Sequence, residues 1–130
     1  MSLQVQVLRL APGEDLRAAL EAQEIAAGCI LSAVGSFSRV VLRYAQRTEG
    51  SAIEGPTELL TLSGTLGRDG VHLHASVSDA DGRVKGGHVM PGCIVRTTAE
   101  IVIALLPQWE LGRAFDPATG FKELQARRLP

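Results

Sequence analysis

Aromatic residues make up only 4% of this 130-residue sequence: Phe37, Tyr44, Trp109, Phe115 and Phe121. Proteins that bind single-stranded nucleic acid stack bases on aromatic platforms, so the scarcity weighs against that class. It also leaves the core to Val, Ile, Leu and Ala. Lysine is scarcer still, with Lys85 and Lys122 alone, and the arginines are scattered apart from Arg127-Arg128. A net charge of −1 gives no sign of the clustered positive charge that neutralises phosphates. The two cysteines, Cys29 and Cys93, lack Cys-x-x-Cys spacing and sit in apolar stretches. They read as reduced, buried small hydrophobes of a cytoplasmic protein, ahead of a zinc or thiol-catalysis role. No apolar run approaches the roughly 20 residues of a membrane helix. Met1–Arg9 alternates where a signal peptide would be a solid apolar block, so none is expected.

What is present is an ordinary globular balance, 45% hydrophobic and 21% charged, which argues against disorder. The length predicts a single domain over 1–130, large enough to bury a core without staples. Leu3–Leu10 alternates and predicts a strand, broken by Ala11-Pro12-Gly13. Glu14–Ala27 predicts a helix, with Leu16, Ala19, Leu20 and Ile25 near one face and acids at its start. Strands follow over Cys29–Val34 and Arg39–Gln46, with a break at Gly35–Ser38. Thr48–Pro56 reads as a polar loop and Glu58–Leu66 as another strand. Val71–Ser78 and Arg83–Met90 predict a hairpin, and Val95–Leu106 is the longest strand-like run. The domain core is expected over about 3–107. Residues 108–130 read as irregular, with a short strand or helix near Phe121–Gln125. The expected class is α/β of the α+β kind: a mainly antiparallel sheet with one or two helices. Val95–Leu106 is apolar on both faces, and a small sheet with one helix leaves a face uncovered, which calls for another subunit.

All three histidines fall between positions 72 and 88. His72, His74, Ser76 and Ser78 share one strand face, opposite Val71, Leu73, Ala75 and Val77. The alternation turns the apolar face inward. His88 lies across the turn Asp79-Ala80-Asp81-Gly82. If Ala80-Asp81-Gly82 form a three-residue loop with Gly in the left-handed region, Asp79 pairs with Arg83 and His74 falls opposite His88. A two-residue loop flips His88 to the other face. The first register is preferred, because Asp-Ala-Asp-Gly suits a type I turn followed by a bulge. Three imidazoles from neighbouring strands can supply three zinc ligands and leave water in the fourth position, where it is ionised near neutral pH. Gly86 and Gly87 would let a ligand or a second backbone approach. Ser76, Ser78 and Asp79 are candidate partners that fix the imidazole tautomers. The alternatives are a solvent-facing polar surface and a polar subunit interface. Arg96, Thr98 and Glu100 share a face of the long strand, read first as solvated, with Glu100 a candidate base beside the histidines. No nucleophile elbow, Walker loop or GxGxxG after a strand is present.

Ala33-Val34-Gly35-Ser36-Phe37-Ser38 with Val40-Val41-Leu42-Arg43, Glu54-Gly55-Pro56-Thr57-Glu58-Leu59-Leu60-Thr61-Leu62-Ser63-Gly64-Thr65, and Gly70-Val71-His72-Leu73-His74-Ala75-Ser76-Val77-Ser78-Asp79 through Gly82-Arg83-Val84-Lys85-Gly86-Gly87-His88 resemble motifs of the PPC domain (plants and prokaryotes conserved), in its stand-alone prokaryotic form. The match runs from about Val5 to Leu106 and departs at Thr57, where the family prefers an aromatic. The resemblance implies a mainly antiparallel α/β domain assembling as a homotrimer, with His72, His74 and His88 as metal ligands and Ser36 among the pocket candidates. In plants the domain follows an AT-hook, an Arg-Gly-Arg-Pro segment for AT-rich DNA, and mediates self-association and protein contacts. Prokaryotic members carry a DNA-binding label by analogy. These 130 residues contain no Arg-Gly-Arg-Pro, so the DNA label loses its physical support. The expected function is an oligomeric binding module with a zinc site, open to a small-molecule ligand or a protein partner. Left open are a small metal-dependent hydrolase or lyase using the same histidines, helped by Glu100 or Asp79, and a DNA-binding regulator. A cupin-like barrel shares His-x-His but would place a Glu where Ser78-Asp79 stand.

Overall fold

A computed structural model of the chain describes residues 2–130. Alternating sequence becomes strand almost throughout. The elements run β1 (Val5–Leu10), α1 (Leu16–Glu21), β2 (Ala27–Arg43), β3 (Ser51–Gly67), β4 (Gly70–Ser78), β5 (Val84–Val89), β6 (Ile94–Leu105), β7 (Trp109–Asp116) and β8 (Phe121–Arg128). Six strands form one antiparallel sheet in the order β1-β6-β2-β3-β4-β5. The end of β5 returns to β2, pairing Leu42 with Val89 and Arg43 with His88, so β2, β3, β4 and β5 close on themselves. Closure protects the His88–Val89 end of β5, which would otherwise be a bare edge. The expected class, an antiparallel sheet with few helices, is what forms.

The core lies inside this closed sheet and under the helix. Phe37, Leu42, Leu66, Leu73, Val77, Val89, Ile101 and Ile103 are buried, with Leu16 and Leu20 of α1 laid against them. Each large side chain buried in this way stabilises by about 1.5–3 kcal/mol before entropy is counted. Arg96 and Glu100 lie on the solvent face of β6, as the alternation predicts.

Four local readings need correction. The helix is six residues, not fourteen: Asp15 caps it by accepting from the Ala18 amide, and Glu24 in the left-handed region ends it before Ile25. The same Asp15 carboxylate accepts from the Gly92 amide, fastening the helix start to the turn between β5 and β6. Gly35–Ser38 is not a break. It is a pair of bulges inside the continuous β2, and Gly35 is needed because a Cβ there would lie 2.6 Å from the Thr98 carbonyl oxygen on β6. Part of Thr48–Pro56 is strand: β3 begins at Ser51, and Gly55-Pro56 form the bulge opposite β2. Residues 108–130 are not irregular. Trp109–Asp116 and Phe121–Arg128 pair in full antiparallel register around an Asp116-Pro117-Ala118-Thr119-Gly120 turn.

This last hairpin is fastened to the turn between β3 and β4. The Arg68 amide donates to the Leu111 carbonyl, and the Arg113 amide to the Asp69 carboxylate. Glu110 holds Arg68 and Arg127 together. Gly67 has no room for a side chain, since a Cβ would sit 2.6 Å from the Leu111 carbonyl oxygen. The β7–β8 hairpin is thereby brought beside the histidine face of β4. Among the described residues no helix is long and apolar enough to cross a membrane.

Candidate metal centre

The β4–β5 hairpin takes the three-residue loop. Asp79 and Arg83 bracket it, the Asp79 amide donates to the Arg83 carbonyl, and Gly82 occupies the left-handed region. His74 therefore pairs directly with His88. His72 lies two residues along β4 on the same face. Ring centroids are 5.1 Å apart for His72–His74, 5.1 Å for His72–His88 and 5.6 Å for His74–His88. One ring nitrogen from each histidine lies within 4.8 Å of the others. Tetrahedral zinc ligands at about 2.1 Å from the ion stand about 3.4 Å apart, so small side-chain rotations suffice to close the set around one ion. His74 is exposed and the other two are half-buried, which leaves an open side.

The register that creates the cluster is held on both flanks. Ser63 on β3 pairs with His74, His74 with His88, and His88 with Arg43 on β2, so one row crosses four strands. Gly86 and Gly87 permit this close packing. A Cβ on Gly87 would meet the Arg43 carbonyl oxygen at 2.8 Å, and one on Gly86 the Ala75 carbonyl oxygen at 3.0 Å. These glycines admit neighbouring backbone.

The surroundings of His72 and His88 favour the neutral imidazole, which is the ligating form. Burial, followed by the positive charge of Arg43 and the neighbouring histidines, pushes His88 down to about 4. Burial, then Arg113 and His74, lowers His72, while Glu123 opposes the shift. Both effects disfavour a proton on nitrogen.

The other sequence candidates sit elsewhere or are committed. Asp79 accepts from the amides of Asp81 and Arg83, and the Arg83 bond leads in holding its carboxyl below the usual range. It is a turn residue at the far end of β4. Glu100 is on β6, exposed, opposite Arg9 and Val34, so it does not join the histidine strands. Ser36 is buried and its hydroxyl is 2.6 Å from that of Thr97 on β6. Ser76 neighbours His74 on the same face, and its hydroxyl is 2.6 Å from that of Thr61. Cys93 is buried beside the Val41 and Met90 carbonyls, and burial pushes its thiol up; Cys29 is half-buried and also free.

Sequence reasoning missed the charged groups around the histidines. A cleft of ≈ 640 Å³ opens beside His72 and His88 and is walled by Arg17, Arg43 and Arg113 together with Glu123. A second of ≈ 300 Å³ adjoins His72 and His74, with Arg113 and Glu123 again in its wall. Arg113 and Glu123 come from the C-terminal hairpin. The alternating Trp109–Asp116 run and the Asp-Pro…Gly turn after it were the signals available for that hairpin.

Residues 1–107 match the model of the Plants and Prokaryotes Conserved (PCC) domain. The Bifunctional protein GlmU of Synechococcus sp. (strain JA-3-3Ab) is 49% identical over 132 residues, which cover 98% of this chain and 21% of that protein. AT-hook motif nuclear-localized protein 8 of Arabidopsis thaliana is 32% identical over 75% of this chain and 28% of its own length. The chain thus spans a minor part of these curated relatives. Among solved structures, a Salmonella enterica protein superposes with a TM-score of 0.91 at 37% identity, covering 98% of this chain and 95% of that one. A metal-containing protein from Archaeoglobus fulgidus superposes with a TM-score of 0.77 at 29% identity, covering 94% and 93%.

Proposed function

This chain belongs to the Plants and Prokaryotes Conserved domain family, and we propose that it is a self-associating binding module whose His72, His74 and His88 hold one zinc ion. The observation that carries the reading is the mutual approach of three ring nitrogens to within 4.8 Å on a doubly braced strand pair. Three imidazoles with one open side suit zinc and leave a position for water or a ligand. The metal-containing Archaeoglobus relative supports the same reading. Recurrence of the domain as about a fifth of a Synechococcus bifunctional protein supports its being a module.

Self-association, as a homotrimer, is supported by apolar side chains left on the outer sheet. Val5 and Val7 of β1 and Leu31 and Val34 of β2 are exposed. A surface of this kind is covered when subunits meet. Light scattering after size exclusion is expected to give three chains, and Val34→Glu to give one. A monomeric native protein would remove this part of the proposal.

A second reading, a metal-dependent hydrolase or lyase, is favoured by Glu123. It lines both clefts with His72, the position that Glu100 and Asp79 do not reach. A zinc-bound water would there have a carboxylate beside it to take a proton. The DNA reading has less support. The basic side chains that do gather line a cleft shared with Asp69 and Glu123, not a stripe that tracks a phosphate backbone. No salt-dependent retardation of duplex DNA is expected.

The test is zinc titration of metal-free, tag-free protein against a chromophoric chelator. One equivalent per chain is expected for the native protein and none for His74→Ala. Equal uptake by the two proteins would overturn the site.

A further inference from the structure

The larger cleft beside the histidines carries more positive charge than its own carboxylates balance. Arg17, Arg43, Arg113 and Lys122 line it, against Asp69 and Glu123. Among the described residues Arg43 and Arg113 have no carboxylate within salt-bridge distance, and only Arg17 is paired, with Glu21. The arginines are placed, not merely present. Arg43 is half-buried and stands next to His88 in the cross-strand row. Side chains paired in this way have their Cβ atoms about 4.5–5.5 Å apart. Arg113 reaches over from β7 and donates from Nη2 to the Thr65 hydroxyl at 2.9 Å, on the strand position opposite His72. Arg17 donates from Nη1 to the Val89 carbonyl at 3.0 Å, which fixes it over the end of β5. Three guanidinium groups from three separate elements thus converge around one concave space. Guanidinium forks recognise carboxylate and phosphate oxygens in pairs, and a partly dry cleft strengthens that attraction.

We propose that this cleft binds a small oxyanion ligand, a phosphate or carboxylate compound, gripped by Arg43 and Arg113 with Arg17 behind them and with one end presented to the histidine centre. The proposal deepens the metal-centre reading and rests on it for the ligand's orientation. The ≈ 640 Å³ of the cleft falls in the range of small-molecule sites, about 300–1,000 Å³. Glu123 and Asp69 would set the limits of what enters, since a ligand that puts a second anion against them is repelled. The Asp69 carboxylate accepts from the backbone amide of Arg113 itself, which steadies that arginine.

The experiment is calorimetric titration of inorganic phosphate and, separately, malonate into zinc-loaded native protein, Arg43→Met, Arg113→Met and Arg43→Lys, with zinc content measured on each sample. Native protein is expected to bind at least one of the two probes, and which one it binds separates a phosphate from a carboxylate ligand. Both Met variants are expected to bind at least about tenfold more weakly while keeping their zinc, a loss in line with one charge-assisted pair. Arg43→Lys keeps the charge and serves as the check on folding; it is expected to lose less than Arg43→Met. Equal affinity in native and Met variants, or no binding of either probe to zinc-loaded native protein, would overturn the proposal. If the native chain takes up no zinc, the metal reading fails by itself. Anion binding lost in Arg43→Met would then still uphold the cleft.

Discussion

The two hairpins that meet at the histidines contribute different things. The β4–β5 hairpin is woven into the sheet on both sides, by β3 and by the return of β5 to β2. It supplies three imidazoles in fixed register. Among the described residues the β7–β8 hairpin forms a two-stranded sheet of its own and is fastened through Glu110, Asp69 and the Arg68 amide. It supplies Arg113, Lys122 and Glu123. Donor atoms for a metal need placement to a fraction of an ångström, and they stand on the rigid element. Charges act over longer distances and tolerate the looser one. The division implies that metal affinity and ligand preference can be altered separately.

The largest effect should come from the rigid hairpin. His74→Ala or His88→Ala is expected to abolish stoichiometric zinc by elemental analysis. It should also remove the stabilisation that zinc confers, about 2.7 kcal/mol when free zinc is a hundredfold above its Kd, read as a denaturation midpoint. Next is Gly87→Ala, whose new Cβ would press on the Arg43 carbonyl oxygen. Overpacking of that kind costs about 1–3 kcal/mol, and the loss should appear in urea unfolding together with weaker zinc binding. Glu110→Ala is aimed at the other hairpin. Faster amide exchange is expected across Trp109–Asp116 and Phe121–Arg128 with zinc uptake unchanged; loss of zinc would show that the two regions are not separable.

A smaller effect is expected from pH. His88 titrates at about 4 in the fold against an ordinary 6.5. Between those values the unfolded chain binds more protons than the native one, so stability of the metal-free protein falls as pH drops from 6.5 towards 4. His88→Gln should flatten that part of the pH–stability curve. The smallest effect is expected for Asp79→Asn, which weakens the turn between β4 and β5 and leaves zinc binding untouched. A clear loss of zinc would place Asp79 in the site after all.

Much of the β4–β5 half was legible because a period of two and a turn composition are local properties. Asp79-Ala80-Asp81-Gly82 set the loop length, and loop length decided which face His88 joined. The strand breaks were misread for the opposite reason. Gly35 looks like punctuation locally, but it answers the approach of Thr98, a residue far away in sequence. The helix was drawn too long because apolar spacing continues past Glu21, whereas a left-handed Glu24 turns the chain. Ser36 came with the family resemblance, Asp79 with its place beside the hairpin turn and Glu100 with its face of the long strand, all without knowledge of strand order. The strand order β1-β6-β2-β3 puts Glu100 and Ser36 in a different part of the sheet. Arg43, Arg113 and Glu123 went unnoticed because their proximity depends on sheet closure and on the docking of a separate hairpin, neither of which leaves a local mark.

The most direct test of the metal centre is X-ray absorption at the zinc edge on tag-free protein loaded with one equivalent. Three nitrogen scatterers at about 2.0–2.1 Å with imidazole outer-shell features, and one further light atom, are the expected result. Sulfur scattering from Cys29 or Cys93, fewer than three imidazoles, or failure to retain zinc would contradict it.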